Sequence, residues 1–304
     1  MERFDVNILG CGSATPTLQH HPSSQVVNIR EKLFMIDCGE GTQLQFRKSR
    51  LRFGRLSRIF ISHLHGDHCF GLIGLISTLA LLGRTGDIYI HAHADLEGIL
   101  QPQIDYFCRE NPFKVIVIPF SPTKNEIIFE DKSVKISTIP LKHRIPCAGF
   151  LFQEQPKDAH LIADMIQFHN IPIKELANIK KGADYVKEDG TIIPNKMLTR
   201  PAEPARSYAY CSDTAYSETI IPIIENVDLL YHEATFAEED AHRAKETGHS
   251  TAKQAAQIAK LANVKKLILG HFSARYNNNE ILEDEAKSIF PNTILSNEGL
   301  CEKL

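Results

Sequence analysis

His63-Leu64-His65-Gly66-Asp67-His68 sets four metal-capable side chains within six residues. Upstream, Arg58-Ile59-Phe60-Ile61-Ser62 is apolar and strand-like, and downstream the apolar segment Cys69 to Gly83 reads as a helix. The cluster therefore belongs at a strand-to-helix turn. A strand period of two sends His63 and His65 to one side of the chain, while Asp67 and His68 fall where a helix begins. Such a turn offers two imidazoles to one metal ion and a carboxylate plus an imidazole to a second, donor types that suit zinc. Chance is a poor account of this density, because the chain holds only 14 His in 304 residues.

Composition narrows the class. With 43% hydrophobic and 23% charged residues the chain reads as an ordinary soluble globular protein with no disordered tail. Met1 to Val6 lacks the apolar core of a secretory signal, and Cys69 to Gly83 is too short to span a bilayer. The Cys count of 7, odd and without a CxxC pair, predicts reduced thiols and a cytoplasmic location. A net charge of −3 makes no global case for a nucleic-acid partner. Locally, Arg47, Lys48, Arg50, Arg52, Arg55 and Arg58 come without an acidic residue just before the metal cluster, which suits a polyanion or a solvated helix face.

The first forty residues predict strands at 4–9, 25–29 and 33–36, with Asp37-Cys38-Gly39-Glu40-Gly41-Thr42 closing the last and opening a helix. Further strands are expected near 87–91, 114–118, 133–139, 148–153, 206–211, 227–231 and 265–270, and a helix near 95–108. Runs of strands followed by strand–helix alternation suggest two sheets with helices outside. Residues 154–205 interrupt that order: they are polar and proline-rich, with short helical pieces at Ala159 to His169 and Ile173 to Asn178. They read as an inserted arm within one domain spanning 1–304. Between Ile171 and Arg206 the arm carries only a weak basic excess.

Two metal ions need about eight ligands, so the opening cluster is half a site. Polar residues where apolar strands end supply candidates: His143, Asp213 and His271. His91 and His93 compete as an HxH pair, but read as core or surface histidines. His232-Glu233-Ala234-Thr235 ends another strand, and Thr251-Ala252-Lys253-Gln254 fits a capping box that sets His249 just outside a helix amino terminus. A helix terminus lowers a histidine pKa, whereas a carboxylate such as Glu233 raises it and holds the ring.

HLHGDH, His143, Asp213, the 232–235 segment, Gly248-His249-Ser250-Thr251, and His271 followed by Ser273-Ala274-Arg275-Tyr276 together resemble ribonuclease Z, the tRNA 3′-processing endonucleases of the metallo-β-lactamase fold. The resemblance covers nearly the whole chain and keeps motif order. It implies an α/β fold, a four-layer αββα sandwich of the metallo-β-lactamase type, with 154–205 as an inserted flexible arm that binds tRNA. It also implies two Zn2+ per subunit, with Mn2+ as a substitute. His63, His65 and His143 would hold one ion, Asp67, His68 and His271 the other, and Asp213 would bridge them. A metal-bridged hydroxide would attack the phosphodiester, Asp67 would orient or deprotonate that water, and His249, positioned by Glu233, would protonate the leaving oxygen. The expected partners are precursor tRNA and a second subunit in a homodimer, with no membrane. Products would be a tRNA 3′-hydroxyl and a trailer 5′-phosphate.

Two stretches depart from the family. Pro16-Thr17-Leu18-Gln19-His20-His21 lacks the Lys and Arg of the family's Pro-x-Lys-x-Arg-Asn loop, and Ile171-Pro172-Ile173-Lys174 lacks the arm's Gly-Pro step. His20 or the 47–58 basic run would then have to compensate. Small-substrate relatives of the fold, above all cyclic-nucleotide phosphodiesterases, are the competing reading, and the arm argues against them. A zinc-stabilised, non-catalytic nucleic-acid binder fits poorly, because structural zinc sites close four ligands around one ion.

Overall fold

A computed structural model describes residues 2–304, which form two compact units, 2–153 with 206–304, and 154–205. In the larger unit, one seven-stranded sheet runs in the order Cys301–Lys303, Phe4–Gly10, Ser24–Ile29, Lys32–Ile36, Leu56–Phe60, Ile88–Ala92, Val115–Pro119. The second, also seven-stranded, runs Thr293–Leu295, Lys266–Gly270, Leu229–Glu233, Ser207–Cys211, Cys147–Glu154, Val134–Leu141, Ile127–Glu130.

Strand alternation divides the side chains between two cores. Val27, Ile29, Phe34, Ile36 and Phe60 pack with Ile136, Phe150, Phe152, Tyr208 and Tyr210 of the other sheet. Their immediate neighbours Val26, Leu33, Met35, Ile59 and Ile61 point the other way, onto a second core with Phe46, Leu75, Ile76, Leu79, Leu96 and Leu100 from the helices Thr42–Lys48, Leu72–Leu81 and Asp95–Phe107. Strands buried on both faces read as apolar runs, which is why the sequence shows little polar alternation. The far face of the second sheet is covered by the helix Ala252–Leu261 through Ala255, Ala256 and Ala259. The architecture is the four-layer αββα sandwich.

Two expected elements change. The strand before the metal cluster is Leu56–Phe60, and the apolar segment after it divides into Gly66–Cys69 and Leu72–Leu81. The break falls at Gly71, whose N–H bonds the Cys38 carbonyl at 2.8 Å and whose added Cβ would lie 2.1 Å from the Gly39 oxygen. Close passage past the 37–41 turn, not helix propensity, decides that break. Among the described residues no helix is long and apolar enough to cross a membrane.

The unit 154–205 has a small core of Ile171, Ile179, Ile193 and Leu198. Its helices are Ala163–Phe168, Leu176–Lys180 and Asn195–Leu198, shorter than or shifted from the expected pieces, with Ile173–Glu175 forming a 3-10 turn. Residues His160–Leu161 pair with Thr199–Arg200, and Tyr185–Val186 with Ile192–Ile193. Two-residue strands are too short for any period to reveal.

Candidate metal centre

Register brings the site together. In the second sheet Ser207–Cys211, Leu229–Glu233 and Lys266–Gly270 are parallel, with Cys211 opposite His232 and Glu233 opposite Gly270. Asp213, Glu233 and His271 therefore emerge at one edge. In the first sheet Ile36 pairs with Phe60, so Asp37 lies beside Ser62 and the cluster that follows it.

Two donor groups result. His63, His65, His143 and Asp213 form one, and Asp67, His68 and His271 the other. His63 Nε2 is 2.9 Å from His65 Nδ1, which is 3.4 Å from His143 Nε2. Asp213 Oδ1 lies 3.9 Å from His63 Nε2 and 3.8 Å from His143 Nε2, whereas its Oδ2 lies 3.0 Å from His68 Nε2 and 3.3 Å from His271 Nε2. Asp67 Oδ2 is 3.3 Å from His68 Nε2 and 3.6 Å from His271 Nε2. Tetrahedral ligands at zinc's usual bond lengths stand about 3.3 Å apart, so both groups have the right spacing for an ion. One Asp213 oxygen faces each group.

The orphaned atoms agree with that fit. His68 Nε2 and His271 Nε2 are buried without a hydrogen-bond partner, although carboxylate oxygens stand 3.0 to 3.6 Å away. Lone pairs aimed at a common ion, and not at one another, leave such atoms. Burial, reinforced by neighbouring imidazoles, holds His63 well below the ordinary histidine pKa, and burial also lowers His65 and His143. These rings are neutral, the form that ligates metal. Burial would raise Asp67, but the His271 and His68 imidazoles beside it hold it well below the usual carboxylate range.

Four of the five candidate rings are fixed from behind. Asp37 Oδ2 is 2.7 Å from His68 Nδ1, Ser62 Oγ 3.0 Å from His63 Nδ1, the Gly248 carbonyl 2.9 Å from His143 Nδ1, and Thr235 Oγ1 3.0 Å from His271 Nδ1. The Ser62 hydroxyl donates to Asp37 Oδ2 and that of Thr235 to Glu233 Oε2, so each oxygen accepts from the ring N–H. This fixes the tautomer that leaves Nε2 free. Asp37 is fully buried and also accepts from the Ser62 N–H and the Tyr210 hydroxyl. Sequence reasoning missed it. Its signal was the one that picked out His143, Asp213 and His271: a polar residue directly after an apolar strand. Asp37, Asp213 and His271 all take left-handed backbone, φ 56°, 62° and 60°. Such strain, of order 1 kcal/mol or more each, persists where surrounding contacts over-determine the conformation.

Beside this centre, Glu233 Oε1 is 2.8 Å from His249 Nδ1, which is 3.8 Å from Asp213 Oδ1. Burial would depress His249, but the Glu233 charge and hydrogen bond outweigh it and raise its pKa to about 9. The capping box at Thr251 and Gln254 is formed, which fixes the chain just after His249. Glu233 also takes the N–H groups of Thr214 and Ser250, so it is a hub as well as a partner.

The remaining residues weighed in the sequence stand apart from the centre. His232 is buried with Nδ1 2.7 Å from the Glu233 carbonyl oxygen and joins neither donor group. His91 stacks on Phe60 at 4.7 Å beside Arg58, and His93 sits 3.4 Å from Asp95. The basic run is not one free face: Arg55 pairs with Glu31, and Arg58 lies over Tyr89 and Phe129 at 4.5 and 4.1 Å. His20 has both ring nitrogens engaged, Nδ1 by Glu298 and Cys11 and Nε2 by Asn279, which leaves it no free nitrogen for RNA.

Residues 4–181 match the family described as Anti-Pycsar protein Apyc1, and residues 197–272 the beta-lactamase superfamily domain. Ribonuclease Z of Phocaeicola vulgatus is 61% identical over 99% of this chain and 97% of its own length. This chain belongs to the ribonuclease Z family. That membership makes it an endoribonuclease. The Bacteroides thetaiotaomicron ribonuclease Z is 57% identical over 99% of this chain and 95% of its own. The solved short form of human tRNase Z superposes with a TM-score of 0.69 at 27% identity, over 98% of each chain.

Proposed function

We propose that the protein is a zinc-dependent endoribonuclease that removes 3′ trailers from precursor tRNA. The observation that carries this is Asp213 between the two donor groups with a Glu233-held histidine 3.8 Å away. His63, His65 and His143 would hold one ion, Asp67, His68 and His271 the second, and Asp213 both. When bound, the ions supply a water acidified toward neutrality and positive charge against the phosphate. Asp67, anionic and between His68 and His271, would orient the attacking water and accept its proton. His249 keeps its proton because Glu233 faces Nδ1, and it delivers a proton to the departing ribose 3′-oxygen, otherwise a poor leaving group. The products are a tRNA 3′-hydroxyl and a trailer 5′-phosphate.

The family relationship supports tRNA as substrate. The unit 154–205, which has a core of its own, is our candidate for the tRNA-binding arm. Within this reading the enzyme is a cytoplasmic homodimer. A single-turnover assay with a trailer-bearing tRNA, a cyclic nucleotide and a glutathione thioester tests the proposal. Faster turnover of either small molecule by orders of magnitude would overturn it, and inductively coupled plasma analysis checks for zinc.

A further inference from the structure

Cys11, His20 and Glu298 form a further donor group, separate from those around Asp213. Cys11 sits just past the strand Phe4–Gly10, His20 in the loop that departs from the family pattern, and Glu298 in the turn before the last strand. Cys11 Sγ is 3.3 Å from His20 Nδ1 and 3.8 Å from Glu298 Oε1, and His20 Nδ1 is 3.1 Å from Glu298 Oε2. Around a tetrahedral zinc the sulfur stands about 3.6 Å from each lighter ligand, and nitrogen and oxygen about 3.3 Å from each other. The observed spacings fall within a few tenths of an ångström of that.

Two neighbouring polar groups favour the same ligand. Ser296, 2% exposed, sets its buried hydroxyl beside the Cys11 sulfur, where it favours the thiolate. Asn279 Oδ1 is buried and unpartnered, while the Nδ2 of the same amide lies 3.1 Å from His20 Nε2. With a metal on Nδ1, the His20 proton moves to Nε2. Turning the Asn279 amide over then lets Oδ1 accept that N–H, the usual support for a ligating histidine. Charge balances as well: a thiolate, a carboxylate and a neutral imidazole neutralise a divalent cation.

We propose that Cys11, His20 and Glu298 bind an additional divalent transition metal, zinc in chemical class, that pins the 13–23 loop to the sheet. Binding releases the Cys11 thiol proton to solvent. The loop's anchorage bears on the catalytic edge, since Cys11 and Ser13 exchange backbone hydrogen bonds with Phe272, next to His271, at 2.9 and 3.0 Å. Ligation through Cys11 does not depend on the substrate proposed above.

The test is cobalt reconstitution of metal-stripped full-length protein, followed by gel filtration. The wild type is expected to retain one cobalt per chain more than Cys11→Ser or His20→Gln, and to show a sulfur-to-cobalt charge-transfer band that Cys11→Ser lacks. Equal cobalt content in all three proteins, or a band that survives in Cys11→Ser, overturns the proposal. Should the variants not fold, zinc K-edge absorption on the wild type decides: a sulfur shell at about 2.3 Å supports the site, and its absence refutes it.

Discussion

Replacing His249 by Ala isolates the proton-delivery step. A histidine of pKa about 9 is protonated in about 99 of 100 molecules at pH 7, against about one in four at the unperturbed value of about 6.5. Positioned acids contribute about 10²- to 10⁴-fold, so cleavage of precursor tRNA is expected to fall by that factor, or roughly 3–5 kcal/mol of barrier. A bis(p-nitrophenyl) phosphodiester, whose phenolate leaves without a proton, is expected to lose less than about tenfold. Metal content should stay near the wild-type value, because all seven residues of the two donor groups remain in place. The pH profile has a defined sign. An acid acts below its pKa, so wild-type kcat falls as pH rises through it. Cations on Asp213 remove part of the charge that raises His249, which sets the expected limb between about 7 and 9. Single-turnover rates on both substrates across pH 5.5–10 measure this. Equal losses on the two substrates, or an unchanged alkaline limb in the variant, would refute the assignment.

Asp37→Asn removes the charge behind His68, and metal affinity is expected to drop about 10- to 100-fold by competition with a chromophoric chelator; unchanged affinity would argue against Asp37 as its support. Gly270→Ala brings a methyl carbon to 2.0 Å from the Tyr231 hydroxyl oxygen in a fully buried layer, and urea denaturation should show a loss of about 1–3 kcal/mol. Thr251→Ala deletes the capping box of Ala252–Leu261 and should cost about 0.5–2 kcal/mol in the same assay. Chelation should abolish cleavage and lower Tm, both restored by zinc, because ions that bind only the folded chain stabilise it by mass action. Full activity after verified metal removal would exclude a metal-dependent reaction.

Local chemistry made much of the site legible. The density at 63–68 pointed to candidate metal donors, and the rule that polar residues follow apolar strands added His143, Asp213 and His271, which the structure brings beside them. The same rule passed over Asp37, because a carboxylate among Gly and Cys looks like turn chemistry until its partners Ser62, His68 and Tyr210 are known. The partners of His20 were hidden for a related reason: Glu298 and Asn279 are far away in the chain, and nothing nearby signals that they engage both ring nitrogens.

From its sequence alone, then, the protein's donor types, the strand and helix periods around them and the order of its motifs were determined, since each rests on side chains within a few residues. Tertiary structure decided the rest: which Asp213 oxygen faces which group, which groups hold each histidine tautomer, and where the helix after the cluster breaks. Those depend on the register of parallel strands and on close backbone passage at Gly71, contacts between segments far apart in the chain that no local pattern encodes.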